Sequence, residues 1–165
     1  MKLVIDIPEK HDGDLADRSS VRLWLRLLSC TMTIEKVVQR RLIEQFETTL
    51  PRFDILAALE RRPDGMTMGE LSRTLLVSNG NVTSIVRKLS EDGCVTIAPL
   101  PTDRRTSVVR LTKDGADHFA ELAEAHHDWI DELLAGMGPE ERKTLYLSLG
   151  LLKLSLGEAA QKESL

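Results

Sequence analysis

Apolar residues recur at helical spacing along most of this chain and alternate with polar residues in one stretch. The first helical pattern runs from residue 18 to residue 48, with a stripe that includes Trp24, Val38 and Leu42. Apolar residues three and four positions apart mark the buried face of a helix. Because this stripe is wider than one helix face, we expect the helix to be covered both by its own chain and by a second subunit.

Proline, threonine and glycine delimit the other long helices. Leu50 and Pro51 open a second helix, since proline suits a first helical turn. Thr112 caps a long acidic helix, which ends at the glycine- and proline-containing segment 136–139. The last helix carries leucines at three- and four-residue spacing, namely Leu145, Leu149, Leu152 and Leu156.

Two short helices are predicted between the second helix and the acidic one. Thr67 and Glu70 have the spacing of a capping box, so the first should begin at Met68. After a turn, Ser78 can cap the second. The inner stripe of this second short helix consists of Val82, Ile85, Val86 and Leu89.

The outer face of the second short helix is polar throughout. Its members are Ser78, Asn79, Asn81, Thr83, Ser84, Arg87 and Lys88. Amides and hydroxyls near the start of a helix can meet base edges in the major groove of DNA, and cations farther along can reach guanine or phosphate. The pattern therefore predicts a DNA recognition helix, although such a face can also be merely solvated.

After Gly93 the pattern changes to the period of two that is typical of β-strands. Two strand-like arms flank residues 99–105, which we expect to form a protruding basic loop. Prolines favour edge strands, so the hairpin should stand free of any larger sheet. The elements together predict a mostly α (α+β) fold, a winged helix-turn-helix with flanking helices, whose basic wing tip can enter a minor groove.

The run GELSRTLLVSNGNVTSIVRKLSEDGCV, followed by DRRTSVVRLTKDG, resembles the winged helix-turn-helix of the MarR family of bacterial transcriptional regulators. The D-x-R wing and the V-x-L-T strand end are the more discriminating half, and with the flanking helices the resemblance covers nearly the whole chain. It implies that Asp103 orients the wing and Arg105 enters the minor groove, with Arg104 as a second contact. For the recognition helix it implies contacts from Asn79, Asn81, Thr83, Ser84 and Arg87.

The resemblance also implies a dimer, because the first and last helices of two MarR-family subunits interlock. The expected plan is a mobile arm at 1–17, a dimerisation helix at 18–50, the winged domain at 51–112 and C-terminal dimerisation helices at 113–165. Two recognition helices related by a two-fold axis would read the half-sites of an inverted-repeat operator, about one helical turn, ~10 bp, apart.

A small-molecule effector is implied as well, since family members typically bind one in a crevice between the dimerisation helices and the winged domain. The candidate lining residues are Arg22, Trp24, Arg26, Leu27, Cys30 and Phe53. An arginine beside an apolar crevice can pair with a carboxylate or phosphate, which favours aromatic or phenolic acids and their CoA thioesters. We therefore expect a repressor of aromatic-compound genes that such an effector releases.

The formal net charge of −4 looks unsuited to DNA until it is divided along the chain of 165 residues. Residues 66–112 hold six Lys and Arg against four Asp and Glu, a net +2, whereas residues 113–165 hold five against eleven, a net −6. Positive charge is thus concentrated in the winged region. No apolar run reaches the ~20 residues that a membrane span needs, and the acidic start does not fit a signal peptide, so we expect a cytoplasmic protein.

Two alternatives to this function remain open. Cys30 lies in the right helix for a thiol- or peroxide-sensing member of the same family, although buried inert thiols are the simpler expectation for Cys30 and Cys94. Winged helices also serve as protein-interaction modules that never bind DNA.

Metal and enzyme chemistry are disfavoured. His127 with Asp131, and Glu124 with Asp128, have helical ligand spacing, but a solvated acidic face is the simpler interpretation. The sequence has no phosphate-binding glycine loop and no nucleophile motif. We predict no metal, no cofactor and no catalysis.

Overall fold

The computed structural model describes residues 19–100 and 103–163, with the backbone alone for 103–105 and 162–163. In this part of the chain six helices and three strands follow one another. They are α1 (Ser19–Phe46), α2 (Leu50–Glu60), β1 (Met66–Thr67), α3 (Met68–Leu75), α4 (Asn79–Glu91), β2 (Val95–Leu100), β3 (Asp103–Leu111), α5 (Lys113–Leu133) and α6 (Pro139–Glu163). The prediction of a mostly helical winged helix-turn-helix is confirmed, while the arm predicted at 1–17 lies outside the described residues.

The chain divides into two compact units, one ending at Asp128 and the other beginning at Trp129. The first contains α1 to α4, the sheet and most of α5, and the second contains the end of α5 and α6. None of the described helices is long and apolar enough to cross a lipid bilayer.

The turn from α1 into α2 is held by a side chain of α1. The Leu50 amide donates to Oε1 of Gln39 at 2.8 Å, which satisfies a donor at the start of α2 that no helical carbonyl can reach. Pro51 occupies the first turn, as predicted. Val38 and Leu42 are the buried residues of α1. The half of α1 nearest this turn therefore packs against the rest of the first unit.

Helix α3 starts as its sequence dictates. The Glu70 amide donates to the Thr67 hydroxyl at 3.2 Å, and the Thr67 amide donates to the Glu70 carboxylate at 2.7 Å, so the predicted capping box is complete. The Glu70 carboxylate accepts hydrogen bonds from the Thr67 amide and also from the Thr67 hydroxyl, and these two bonds lower the pKa of Glu70. At the other end Leu76 adopts a left-handed conformation, φ 55°, and its side chain is 92% exposed.

Helix α4 packs its predicted apolar stripe against the other helices. Val82 and Val86 are completely buried and Leu89 nearly so, whereas Ile85 is half-buried. Gly93 follows the helix with φ 75°, a conformation that favours glycine, and so ends it as predicted. Ser78 occupies the N-cap position, but within the described chain its side chain makes no capping hydrogen bond, so that detail of the prediction is wrong.

The hairpin differs from its prediction in two respects. It is not freestanding, because β1 pairs with β3 to give an antiparallel sheet in the order β1-β3-β2. The segment 99–105 is not all loop, since β2 continues to Leu100 and β3 begins at Asp103, with a register shift after Pro99. Proline at an edge strand and a bulge are compatible with continued pairing, which the alternation pattern of the sequence does not reveal.

Thr112 joins the end of α4, the wing and α5 in one junction. Its hydroxyl donates to the Gly93 carbonyl at 2.7 Å and accepts from the Gly115 amide at 2.9 Å, so it caps α5 as predicted. Its amide donates to the Cys94 carbonyl at 3.1 Å. Gly115 lies so close that a Cβ built there would sit 1.9 Å from the same carbonyl oxygen.

The contact between α1 and α2 places two acids close together. Asp54 is half-buried, and burial first and the Glu35 carboxylate second raise its pKa above the ordinary value of 3.8. No hydrogen bond or cation of the described residues contributes to the shift of this pKa. Ionised Asp54 therefore destabilises the fold at neutral pH.

Replacing Gly115 with Ala should destabilise the protein by at least about 2 kcal/mol, because the new methyl group meets backbone rather than a side chain that can move. Gly80→Ala is the matched control. It lies in α4 with open space around it, so alanine should stabilise by about 0.5–1 kcal/mol through helix propensity. Urea unfolding of both variants tests the pair, and equal effects would contradict the described junction.

Replacing Asp54 with Asn should raise stability at neutral pH and lose that advantage in acid. A carboxyl whose folded-state pKa is raised carries its penalty above that pKa, and the penalty is gone below 3.8, where folded and unfolded states are both protonated. The difference in unfolding free energy between variant and wild type should shrink from about pH 7 to about pH 4. A constant difference would show that Asp54 titrates normally.

Candidate nucleic-acid interface

The polar face of α4 projects into solvent along the helix. All six of its candidate side chains are exposed: Asn79, Asn81, Thr83, Ser84, Arg87 and Lys88. They are held there because the opposite stripe is buried, so rotation of the helix would drive polar groups into the core. The 13-residue helix thereby presents short hydrogen-bonding groups first and cations later.

The first turn of α4 keeps its backbone donors available. Ser78, itself exposed, makes no capping bond within the described chain. The unpaired amides of a first helical turn, together with the helix dipole, form a site suited to a phosphate oxygen. This end of α4 can therefore hold the DNA backbone as well as reach base edges.

Two side chains of this face have internal partners. The Thr83 hydroxyl donates to the Asn79 carbonyl at 2.9 Å, which leaves its oxygen lone pairs and its methyl group to contact a base. Arg87 lies 3.7 Å from Glu91, and both groups are largely exposed. An exposed ion pair contributes little to stability, so the guanidinium can exchange Glu91 for a phosphate at small cost.

The wing extends beyond its predicted strands toward residues 101–102. Asp103, Arg104 and Arg105 belong to the backbone of β3, while their side chains, and hence their predicted contacts, lie outside the described residues. The paired positions Thr96 and Arg110 lie lower on the hairpin. Because Thr112 ties the base of the wing to the end of α4, the two parts of the interface are fixed to each other within the first unit.

The residues predicted to line an effector site are divided between two places. Arg22, Trp24, Arg26, Leu27 and Cys30 all lie in the first half of α1. Trp24 is 59% exposed, and Cys30 is exposed, so the expectation of a buried thiol there is wrong. Phe53 is buried and packs against α5, with ring centroids 4.7 Å from His126 and 5.6 Å from Phe119.

Burial is the main cause of the pKa shifts of two titratable groups in the first unit, His126 and Cys94. Burial first and the neighbouring His127 second lower the pKa of His126, which favours a neutral ring stacked on Phe53. Burial likewise raises the pKa of the half-buried Cys94 thiol, so its reactive thiolate is disfavoured. Among the described residues no group of three or more His, Cys, Asp or Glu could hold a metal ion.

Two clefts of the first unit share Asp54 and Leu75, and Phe53 is the one predicted effector residue that lines either of them. The α2–α5 cleft, about 410 Å³, is lined by Phe53, Asp54, Ala57, Ala58, Arg61, Arg62, Met66, Thr74, Leu75 and His126. The α2–α4 cleft, about 240 Å³, is lined by Pro51, Asp54, Ile55, Leu75, Val77, Asn81, Val82, Ser84 and Ile85. The available sequence signal was one acid, Asp54, within the apolar run of α2.

Comparison with known proteins agrees with this architecture. Residues 46–106 match the model of the MarR family. The transcriptional activatory protein BadR of Rhodopseudomonas palustris is 34% identical over 105 residues, 62% of this chain and 59% of that protein, so the chain spans less than two thirds of BadR. The crystal structure of a MarR family transcriptional regulator from Silicibacter pomeroyi has a TM-score of 0.74 and 30% identity, covering 87% of this chain and 99% of that one.

A solved complex extends the comparison to a DNA-bound protein. A variant of MarR from E. coli complexed with operator DNA has a TM-score of 0.73 and 23% identity, covering 85% of this chain and 99% of that one. At that identity the likeness establishes the fold alone. The family match within the winged region and the likeness to the Silicibacter regulator over nearly its whole length give the conclusion that this chain belongs to the MarR family of transcriptional regulators, which are not enzymes.

Proposed function

We propose that the protein is a homodimeric regulator that binds an inverted-repeat operator and leaves it when a small molecule binds. The observation that carries the DNA-binding part is the geometry of α4, whose Val82 and Val86 are completely buried while its opposite polar face is exposed. This face has the residue types that read a major groove. The wing carries Arg104 and Arg105 near the beginning of β3, and arginine is a residue type that enters a minor groove.

Charge and comparison support DNA as the partner. The winged region carries a net charge of +2 although the whole chain carries −4, and this local positive charge favours the DNA backbone. The E. coli MarR variant of the same fold has been solved with operator DNA. We assign base contacts to Asn79, Asn81, Thr83, Ser84 and Arg87, and phosphate contacts to Ser78 and Lys88. We assign minor-groove contacts to Arg105 and Arg104, with Asp103 orienting the wing.

A second copy of this chain is the proposed cover for its exposed apolar helix faces. In α1, Val21, Leu23, Trp24 and Met32 are exposed. In α6, Leu145, Tyr146, Leu147, Leu151, Leu154 and Leu156 are exposed. Exposed apolar side chains in such number on two helices favour a protein interface, and an isologous dimer would place two α4 helices on one duplex.

The effector part of the proposal rests on α1. Arg22 and Arg26 lie one helical turn apart in the same part of α1 as the exposed Trp24. We propose that their guanidinium groups pair with the carboxylate or phosphate of an aromatic or phenolic acid or its CoA thioester. We propose repression, released by such a ligand, as the regulatory sign. BadR is named an activatory protein, so in vitro transcription from the bound promoter, with and without ligand, decides the sign.

A thiol-sensing regulator is the second candidate, and the exposure of Cys30 favours it. Peroxide would then release DNA from the wild type and not from Cys30→Ser. Under the ligand-responsive proposal peroxide releases DNA from neither protein, and aromatic acids release it from the wild type.

Three variants should weaken DNA binding in distinguishable ways. Asn81→Ala should lower affinity for the operator by about 1–3 kcal/mol and leave binding to unrelated DNA intact, because a base contact is lost. Lys88→Ala should weaken both and reduce the slope of log K against log salt by about 1. Arg105→Ala should weaken operator binding through loss of the wing contact.

Anisotropy titrations against the chain's own upstream DNA at several salt concentrations measure all three. Lys143→Ala, at an exposed cation of α6 outside the winged region, is the control and should bind as the wild type does. If the three interface variants bind the operator with the same affinity as the wild type and the control, the assigned interface is contradicted. Absence of specific binding by the wild type would favour an interaction module.

Leu151→Glu should convert the dimer to a monomer, because a carboxylate would be buried in the proposed apolar interface. Leu76→Glu is the matched control, since Leu76 is even more exposed, 92% against 71%, but lies in the turn before α4. Light scattering after size exclusion should give a monomer for the first variant and a dimer for the second. A monomeric wild type, or a dimeric Leu151→Glu, would contradict the interface.

A further inference from the structure

The α2–α4 cleft lies directly beneath the face of α4 that we assign to DNA. Its floor is apolar, formed by residues such as Ile55, Val82 and Ile85, of which the first two are fully buried. Asn81 and Ser84, both exposed, form part of its rim. The incomplete burial of Ile85, an inner residue of α4, is explained by this cleft. An occupant would therefore touch the inner and outer sides of the recognition helix at once.

The size of the cleft limits its occupant to a small molecule. An apolar cavity of about 150 Å³ holds benzene. At about 240 Å³, the α2–α4 cleft can take a single ring or a short branched chain with one polar arm. It is too small for a CoA thioester, which separates this cleft from the effector class assigned to α1.

The charge of the cleft lining determines which polar group a ligand should carry. Asp54 is the one charged side chain among the described residues that line the cleft. Its carboxylate is partly desolvated, is repelled by Glu35, and gains no compensating hydrogen bond or cation from the described residues. A carboxylate ligand would add a third negative charge, whereas an ammonium group would relieve the repulsion and donate charge-assisted hydrogen bonds.

We infer that the α2–α4 cleft binds a small primary amine carrying one apolar group, with its ammonium on Asp54, and that such a ligand and DNA exclude each other. The amine's apolar group lies on Ile55 and Ile85, and its occupancy covers Asn81 and Ser84. The amine site stands on the cleft alone, and the exclusion of DNA rests on the proposed function.

The test compares two single-ring probes of similar size and opposite charge, phenethylamine and phenylacetate. Two-dimensional ¹H–¹⁵N spectra of the full chain should show phenethylamine shifting the amides of Asn81, Ser84 and Ile85, while phenylacetate leaves them in place. Asp54→Asn should weaken amine binding by about ten- to a hundredfold, because a charge-assisted hydrogen bond is lost. Asp64→Asn, at an exposed carboxylate after α2, should bind the amine as the wild type does.

The fold of Asp54→Asn is not in question, because that variant removes a destabilising charge; its thermal transition should be at or above that of the wild type at neutral pH. Equal shifts by both probes, unchanged amine affinity in Asp54→Asn, or shifts confined to other residues would overturn the amine site. So would a failure of phenethylamine to bind at all.

Competition with DNA is measured separately. Phenethylamine should release labelled operator from the wild type and should fail to release it from Asp54→Asn at the same concentration. Release from both variants alike, or a ternary complex of protein, amine and DNA, would overturn mutual exclusion. If the wild type binds no DNA while the amine still shifts Ile85, the proposed function fails and the amine site stands.

Discussion

Burial of one stripe of α4 is the constraint on which the rest of this structure depends. Val82, Val86 and Leu89 are excluded from water, and together they contribute several kcal/mol of hydrophobic stabilisation, roughly 1.5–3 kcal/mol for each side chain. That burial fixes the rotation of α4, so a sequence with a formal net charge of −4 can still display an ordered row of amides, hydroxyls and cations. The buried stripe of α4 therefore determines which of its side chains face solvent.

The hydrogen bonds of Thr112 hold the wing in a fixed position relative to α4. One hydroxyl serves the end of α4 and the start of α5, and the approach of Gly115 to the Cys94 carbonyl allows α5 to begin there. The recognition helix and the wing cannot tilt independently without breaking these hydrogen bonds. On the opposite side of α4, Ile85 is only half-buried. Facing it from α2, the partly buried Asp54 carboxylate is repelled by Glu35. These two features are the basis of the ligand preference that we propose for the cleft.

Local signals predicted most of the fold, because they depend on neighbours in the sequence. The capping box at Thr67, the stop at Gly93 and the stripe of α4 each follow from a few adjacent residues. The two-residue strand β1 escaped because it exists only through pairing with Val108 and Val109, far along the chain. The α2–α4 cleft escaped prediction for the same reason. The exposure of Cys30 depends on how a long helix is covered, and the pattern of one chain does not specify that.

The central claim is that two α4 helices of a dimer read one duplex. Hydroxyl-radical footprinting on the chain's own upstream DNA tests it most directly, because each base step reports its own protection. The account predicts two symmetric protected half-sites about one helical turn, ~10 bp, apart, with minor-groove protection from the wings on their outer sides. A single asymmetric protected segment, or uniform protection that follows salt and not sequence, would contradict it.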